Sequence, residues 1–328
     1  MTDTITTDGG SLAEILKADR KEHLDPVRTV QLCYGITGIS VFAGVEDYTE
    51  GIYNGNPKED FFAAQKRQHH YLLDELRAGP GFRLLEIGCG LGTLLETAAE
   101  RDIEAVGITI SKEQCKVCHD KNLTVFQKDY KTLPGNWKGR FDGIIVNGAL
   151  EHFCQPEDAI QGKQNDIYAE MFQIFASLLD PRSPSRKLAT TALHFRHKHI
   201  DPHRLLKSPL SQMFSSEEFH FSILHRGYGG YYPVPGQLEK CADGVFTLIK
   251  EVDGTQDYGF TAEDWLRKFL RAMVTTTKFP AALTRFFFRN PAHTFWFVMS
   301  FLGPASQLWQ FRGQETPVQH FRHTWQAI

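Results

Sequence analysis

The sequence predicts an α/β fold: a doubly wound, mostly parallel seven-stranded sheet with a helical N-terminal cap and an inserted substrate-binding layer. Three observations predict it. Between residues 82 and 195, short apolar runs alternate with helical stretches, the pattern of strands joined by crossover helices. A glycine-rich turn follows the first run and opens a helix. Two more apolar runs, at 245–251 and 318–325, bring the strand count to seven.

The elements read in order as follows. Residues 1–11 are polar, lack Lys and Arg, and read as a frayed tail without a targeting signal. Residues 11–30 read as a helical cap. Residues 58–78 carry apolar residues at helical spacing and stop at Gly79-Pro80-Gly81. Strands follow at 82–87, 104–109, 123–127, 141–147 and 187–195. Helices fall between them at 91–101, 112–121 and 167–179. Residues 196–243 are rich in His, Pro, Gly and Tyr and read as loops with short helices. Helices are expected near 261–276, 280–288 and 293–310. The resulting division is 1–80 as tail and cap, 81–195 as the ligand-binding core, and 196–328 as substrate-binding insertions plus the remaining strands.

Composition narrows the function. Lys and Arg total 36 against 39 Asp and Glu, a net charge of −3, which argues against a nucleic-acid grip built on bulk positive charge. Six cysteines do not make a disulfide framework, so reduced thiols in the cytoplasm are expected. No apolar run is long enough to span a membrane. The 295–302 run (FWFVMSFL) has Arg285, Arg289 and Arg312 near it, which leaves room for weak membrane-surface contact, but a buried helix is the plainer reading. The 25 Phe line either a large core or a greasy pocket.

The strongest local signal is Glu86-Ile87-Gly88-Cys89-Gly90-Leu91-Gly92. Glycines here let a ligand approach the main chain. A dinucleotide site wants its third glycine one residue later, and Glu86 would repel a pyrophosphate. A cationic ligand suits Glu86 better, and S-adenosylmethionine carries both a sulfonium and an ammonium. A plain tight turn is the bland alternative. At the second strand end no acid offers itself for ribose; Thr109 and Gln114 are the polar candidates, with helix capping by Ser111 as the alternative. Asp129 and Tyr130 end the third strand, where an acid accepts an adenine amino group and a ring stacks; a loop turn is equally open. Glu151 and His152 end the fourth, beside the ligand, where a carboxylate takes a proton or steadies positive charge.

Taken together, LLEIGCGLGTL, GITISKEQ and NGALEHF resemble the class I S-adenosylmethionine-dependent methyltransferases, and more narrowly the cyclopropane-fatty-acid synthase and mycolic-acid methyltransferase group. Tyr48-Thr49-Glu50-Gly51-Ile52-Tyr53, the segment from Asp257-Tyr258-Gly259 to Trp265, and Phe311-Arg312-Gly313 with Gln319-His320-Phe321 extend the resemblance over residues 34–325. The resemblance implies a Rossmann-like sheet and S-adenosyl-L-methionine as cofactor. It implies that Gly88, Cys89 and Gly90 border the methionine moiety, Thr109 and Gln114 the adenosine, and Asp129 and Tyr130 the adenine. Tyr48 and Thr49 close over the cofactor, and Glu151 and Tyr258 face the methyl group. It also implies a bicarbonate held by Cys, His, Glu and Tyr in ring-forming members. Here the Cys position is Glu50 and the His position falls near Thr191, with His194 close by. A second carboxylate repels an anion beside Glu151, so methyl transfer without ring closure is expected, with Glu50 as a base or as a support for a cationic intermediate.

The expected reaction is methyl transfer to a carbon, or a nitrogen, of a small hydrophobic, lipid-like or natural-product substrate. A cyclopropane-fatty-acyl-phospholipid synthase at a membrane surface and a cofactor-binding regulator are the alternatives. No metal is expected. Cys115-Lys116-Val117-Cys118-His119 spells a haem-attachment pattern but falls in a helix. His194, His197, His199 and His203 are expected to form a solvated loop.

Overall fold

The computed structural model describes residues 26–328. The expected tail and the first part of the cap lie outside the described residues. The sheet has seven strands: β1 (Arg83–Ile87), β2 (Glu104–Thr109), β3 (Val125–Gln127), β4 (Gly143–Asn147), β5 (Lys187–Phe195), β6 (Phe246–Asp253) and β7 (Val318–Ala327). Their order is β3-β2-β1-β4-β5-β7-β6. The first five run parallel, while β7 lies antiparallel between β5 and β6. The winding reverses between β1 and β4, and open sheets of this kind bind ligands at that point, beyond the strand carboxyl ends.

Capping residues set the helices. Asp60 accepts from the Ala63 amide to start α2 (Phe61–Glu75), which follows α1 (Pro26–Ile39). Gly92 precedes α3 (Thr93–Ala99), and Ser111 caps α4 (Lys112–Asp120). Then come α5 (Pro156–Ile160), α6 (Gln164–Leu178) and the short α7 (Pro202–Leu205). Ser216 caps α8 (Glu217–Tyr228), and α9 (Gln237–Ala242) leads to β6. The C-terminal layer holds α10 (Thr255–Thr275), α11 (Lys278–Arg289), α12 (Pro291–Phe301) and α13 (Ser306–Trp309).

The expected single helix at 293–310 is two. Gly303 takes φ 58°, Pro304 has no amide hydrogen to continue the ladder, and Ala305 is left-handed before α13 begins. The expected helix at 261–276 starts six residues earlier, so Tyr258 rides on its first turns.

Two cores account for much of the aromatic content. One packs Ile144, Val146, Phe172, Phe175 and Leu188 around Trp325, whose Nε1 donates to Thr190 Oγ1 at 3.0 Å. The other joins α1 to α10–α12 through Ile36, Trp265, Phe269, Phe279, Phe297 and Phe301. At roughly 1.5–3 kcal/mol per fully buried large apolar side chain, this second core fastens the cap and insertions to the sheet. The FWFVMSFL run is α12, with Trp296, Phe297, Ser300 and Phe301 buried.

Candidate active site

Two adjoining cavities open at the carboxyl ends of β1, β2 and β4, and Tyr34, Gly88 and His152 line both. Eight predicted residues meet in the first: Tyr48, Thr49, Gly88, Cys89, Gly90, Gln114, Glu151 and Tyr258. Thr109, Asp129 and Tyr130 line the second. Glu50 belongs to neither wall.

The glycine turn is built for close approach. Gly88 has φ 78°, and a Cβ there would sit 2.5 Å from the Ala149 Cβ, so the loops after β1 and β4 touch only because it is glycine. Gly90 also has positive φ, 53°, but its Cβ direction meets nothing within 4 Å. The main chain there is bare toward open space.

Two carboxylates face the first cavity with unspent oxygens. Glu86, at the end of β1, is 3% exposed, and its Oε2 has no hydrogen-bond partner among the described residues. Burial, then the nearby Asp47, holds its pKa well above the usual range. Glu151 Oε1 accepts the Leu193 amide at 2.8 Å, but its Oε2 is unpartnered. Burial pushes its pKa up to about 7, with a smaller push from Glu50. His152 beside it is neutral, its pKa lowered to about 4 by burial.

Thr109 and Gln114 act as a pair. Thr109 Oγ1 donates to Gln114 Oε1 at 2.7 Å, which leaves the Gln114 amide hydrogens for a ligand. Asp129 is exposed and accepts the Lys131 amide at 2.9 Å, a turn-capping bond that uses one of its two oxygens. Tyr130 stacks on Phe153 at 4.5 Å between ring centroids, and its hydroxyl is unpartnered.

The segment at 45–53 arches over the cavity on a network that sequence reasoning did not find. Asp47 accepts from Thr93 Oγ1 and from the Thr49 amide, and pairs with His69 at 2.7 Å. Those partners hold its carboxyl below its usual value despite burial. Gln65 Nε2 donates to the Asp47 and Thr49 carbonyls, both at 3.1 Å. Thr49 Oγ1 lies 2.7 Å from Asn147 Oδ1 and 3.0 Å from Glu50 Oε2. Tyr48 hydrogen-bonds Ser40 and packs near Trp265.

Glu50 turns away from the cavity wall toward β7. Arg322 Nε donates to its Oε1 at 3.2 Å and to Gln68 Oε1 at 2.7 Å, and Gln68 Nε2 donates to the same Glu50 oxygen at 2.5 Å. Arg322 also reaches Asp257 at 3.1 Å, and His320 Nε2 lies 3.4 Å from Glu50 Oε2. The expected bare second carboxylate is therefore a paired one. Burial still raises Glu50 to about 7, with Arg322 pulling the other way. No short motif announces Arg322, since it lies 272 residues from Glu50. The β5–β7 register delivers it by setting Arg322 beside Thr191.

Five aromatic residues also line the cavity: Tyr34, Tyr228, Tyr232, Tyr258 and Trp265. Tyr258 sits 5.1 Å from the His320 ring and 4.7 Å from Phe311, measured between ring centroids.

The discounted motifs fall elsewhere. Cys115 and Cys118 pack in an apolar cluster with Cys89, and His119 Nε2 donates to the Val125 carbonyl at 2.7 Å. The histidine loop divides: His194 is 1% exposed within β5, whereas His197, His199 and His203 are exposed.

Comparison with known proteins bears on this geometry. The sequence model of a family described as mycolic acid cyclopropane synthetase matches residues 45–280. Cyclopropane-fatty-acyl-phospholipid synthase of Escherichia coli (strain K12) is 30% identical over 171 residues, 48% of this chain and 41% of that one. Cyclopropane mycolic acid synthase 1 of Mycobacterium tuberculosis (strain ATCC 25618 / H37Rv) is 26% identical over 204 residues, 59% of this chain and 64% of that one. The chain thus spans less than two thirds of these curated relatives. The cyclopropane synthase MmaA2 from Mycobacterium tuberculosis superposes with TM-score 0.67 at 18% identity, covering 92% of this chain and 97% of that one. The mycolic acid cyclopropane synthase CmaA1, complexed with SAH and CTAB, gives 0.65 at 19% identity, covering 91% and 97%. These structures share the fold.

Proposed function

The chain belongs to the mycolic acid cyclopropane synthetase family, and on that premise we propose that it transfers a methyl group from S-adenosylmethionine to a carbon of a hydrophobic, lipid-like acceptor. One observation carries this reading. Glu86 and Glu151 line a single cavity together with five aromatic residues, and each keeps a buried carboxylate oxygen without a partner among the described residues. A buried charge without a partner is costly, and a doubly cationic ligand supplies what both lack.

The residues present fit that cofactor. Glu86 meets its ammonium end, the open side of Gly90 admits its backbone contacts, and the free amide hydrogens of Gln114 reach its adenosine. Thr109, Asp129 and Tyr130 border the adenine in the second cavity. When bound, the cofactor brings a methyl group already activated on a sulfonium, so no further activation is asked of the protein. The protein's task is to hold the acceptor in line at about 3–3.5 Å and to exclude water. Tyr48 and Thr49, fixed by Asp47 and Gln65, do this from above.

With an alkene acceptor, its π electrons form the new carbon–carbon bond while the carbon–sulfur pair leaves with sulfur. Positive charge is left on the neighbouring acceptor carbon. The faces of Tyr258 and Tyr232 and the Glu151 carboxylate stabilise it. Glu151 Oε2 then takes the adjacent proton, giving a methylated alkene. Glu50 acts at one remove, by keeping Thr49 and the cavity roof in place.

A bicarbonate-assisted ring closure fits less well. Of the four positions the family resemblance implies, Glu151 and Tyr258 line the cavity. Glu50 is held by Arg322, and the Thr191 hydroxyl is engaged with the Gly148 amide at 2.9 Å and Asn147 at 3.0 Å. All six cysteines are free thiols, which fits a reducing compartment such as the cytoplasm.

The test is product analysis with methyl-labelled cofactor and unsaturated acyl lipids. A product heavier by one CH2 that still takes up hydrogen is the expected methylated alkene. One that resists hydrogenation is a ring and overturns the acyclic outcome. Tight cofactor binding without label transfer to any lipid overturns the reaction.

A further inference from the structure

Residues 265–314 contain seven Lys or Arg and no Asp or Glu, in a chain whose net charge is −3. The structure gathers much of this stretch on α10 and α11, which pack against each other. Arg267 is taken by Asp264 at 2.6 Å, and Lys268 lies over the rings of Phe61 and Phe62. Arg271, Lys278, Arg285 and Arg289 are exposed and enter no ion pair among the described residues.

Apolar side chains stand exposed among these cations. Val274, at the α10–α11 turn, is 84% exposed; Phe288 is 51%, Leu270 46% and Met273 45%. On α11, Phe279, Leu283 and Phe286 face the second core, so Arg285, Phe288 and Arg289 form the outer face. Exposed apolar groups set among unpaired cations match the boundary between headgroups and acyl chains of an anionic bilayer. A phosphodiester or a soluble anion would satisfy the cations alone.

We propose that the outer face of α10 and α11, centred on Val274, Arg285, Phe288 and Arg289, docks this protein on anionic phospholipid bilayers. The same helices frame the candidate active site. The first half of α10 supplies Tyr258 and Trp265 to the cavity. Phe286 of α11 packs toward Gly35 of α1, the helix that supplies Cys33, Tyr34 and Thr37. The docking face thus lies on one helix that lines the cavity and on a second that packs beside α1, which also lines it. The link to catalysis rests on the lipid-like acceptor proposed above; the docking itself needs no turnover.

The experiment is flotation of the whole protein, without cofactor, on vesicles of phosphatidylcholine alone or mixed equally with phosphatidylglycerol. Capture is expected on the mixed vesicles, and about tenfold or more weaker on the neutral ones, with a steep loss as salt rises. The double variants R285E/R289E and V274D/F288D are each expected to lose about tenfold or more in partitioning while keeping wild-type melting and cofactor binding. Equal capture on both compositions, capture unchanged in both variants, or no capture overturns the proposal. Methyl transfer to a detergent-dispersed acceptor separates the two claims. If it persists while capture fails, docking alone is wrong; if capture persists without transfer, the reaction alone is wrong.

Discussion

The molecule buries two sets of carboxylates and treats them differently. Around Glu50, every neighbour is a protein group: Arg322, Gln68, Thr49 and His320 surround it, with Asp257 on the far side of the guanidinium. At the cavity, Glu86 and Glu151 keep one oxygen each without a donor. Both sets lie in low dielectric, and burial raises the carboxyl pKa in both. The difference is in who supplies the counter-charge. The first set is closed by the fold; the second, on the function proposed above, is closed by the ligand.

Four experiments break or sharpen that contrast. The largest effect is expected from Glu151→Gln, which keeps the shape and the Leu193 bond but removes the carboxylate proposed as the base. Turnover should fall by about 10²- to 10⁴-fold with cofactor affinity changed far less, read by single-turnover kinetics and calorimetry. Equal losses in both would make Glu151 a binding group only. Arg322→Leu tests the closed set. It leaves Glu50 buried without its cationic partner, so a loss of about 3–5 kcal/mol is expected in denaturant unfolding. Adding Glu50→Gln should restore part of it, and a double variant no better than the single would deny the pairing.

The open set makes a pH prediction. Glu86 and Glu151 have raised pKa values, so the folded apoprotein binds more protons than the unfolded chain. Its stability from these groups is fullest below the unfolded carboxylate range, near 4.5, and declines as pH rises toward about 7. A cationic cofactor reverses the sign, because it favours the ionised carboxylates. Cofactor affinity should therefore rise by about tenfold between pH 5.5 and 7.5, with protons released on binding. Calorimetry in buffers of different ionisation enthalpy reads the release; pH-independent affinity would remove the carboxylates from the cofactor's reach. The smallest effect concerns Thr109→Val, which frees Gln114 from its anchor at a cost of about 1 kcal/mol, or roughly fivefold in cofactor affinity. An unchanged affinity would leave Gln114 without a role in the grip.

The two sets were unequally legible in the sequence. The cavity side is written in contiguous segments, because strand ends and the loops they open carry it: Glu86 to Gly92 from the end of β1, Thr109 to Gln114 from the end of β2, Asn147 to His152 from the end of β4. Local glycine and cap patterns reveal such loops, and the doubly wound order follows from their spacing. The support around Glu50 draws on α2, β7 and α10, far apart in the chain. A one-residue slip of β7 would send Arg322 to the other face of the sheet, and no local pattern states that register. The break at Gly303-Pro304 was legible but outweighed by the apolar run before it.

The place of β7 between β5 and β6 has a consequence for the order in which a growing chain becomes competent. Until residues 318–327 have emerged and slotted in, β6 has no strand to join and Glu50 has no guanidinium. The glycine turn and its first helices are complete more than 200 residues earlier. A nascent chain thus has its strand-end loops, and the Asp47, Gln65 and His69 anchors of the arch over them, long before Glu50 gains its guanidinium partner, and synthesis itself delays that last pairing to β7.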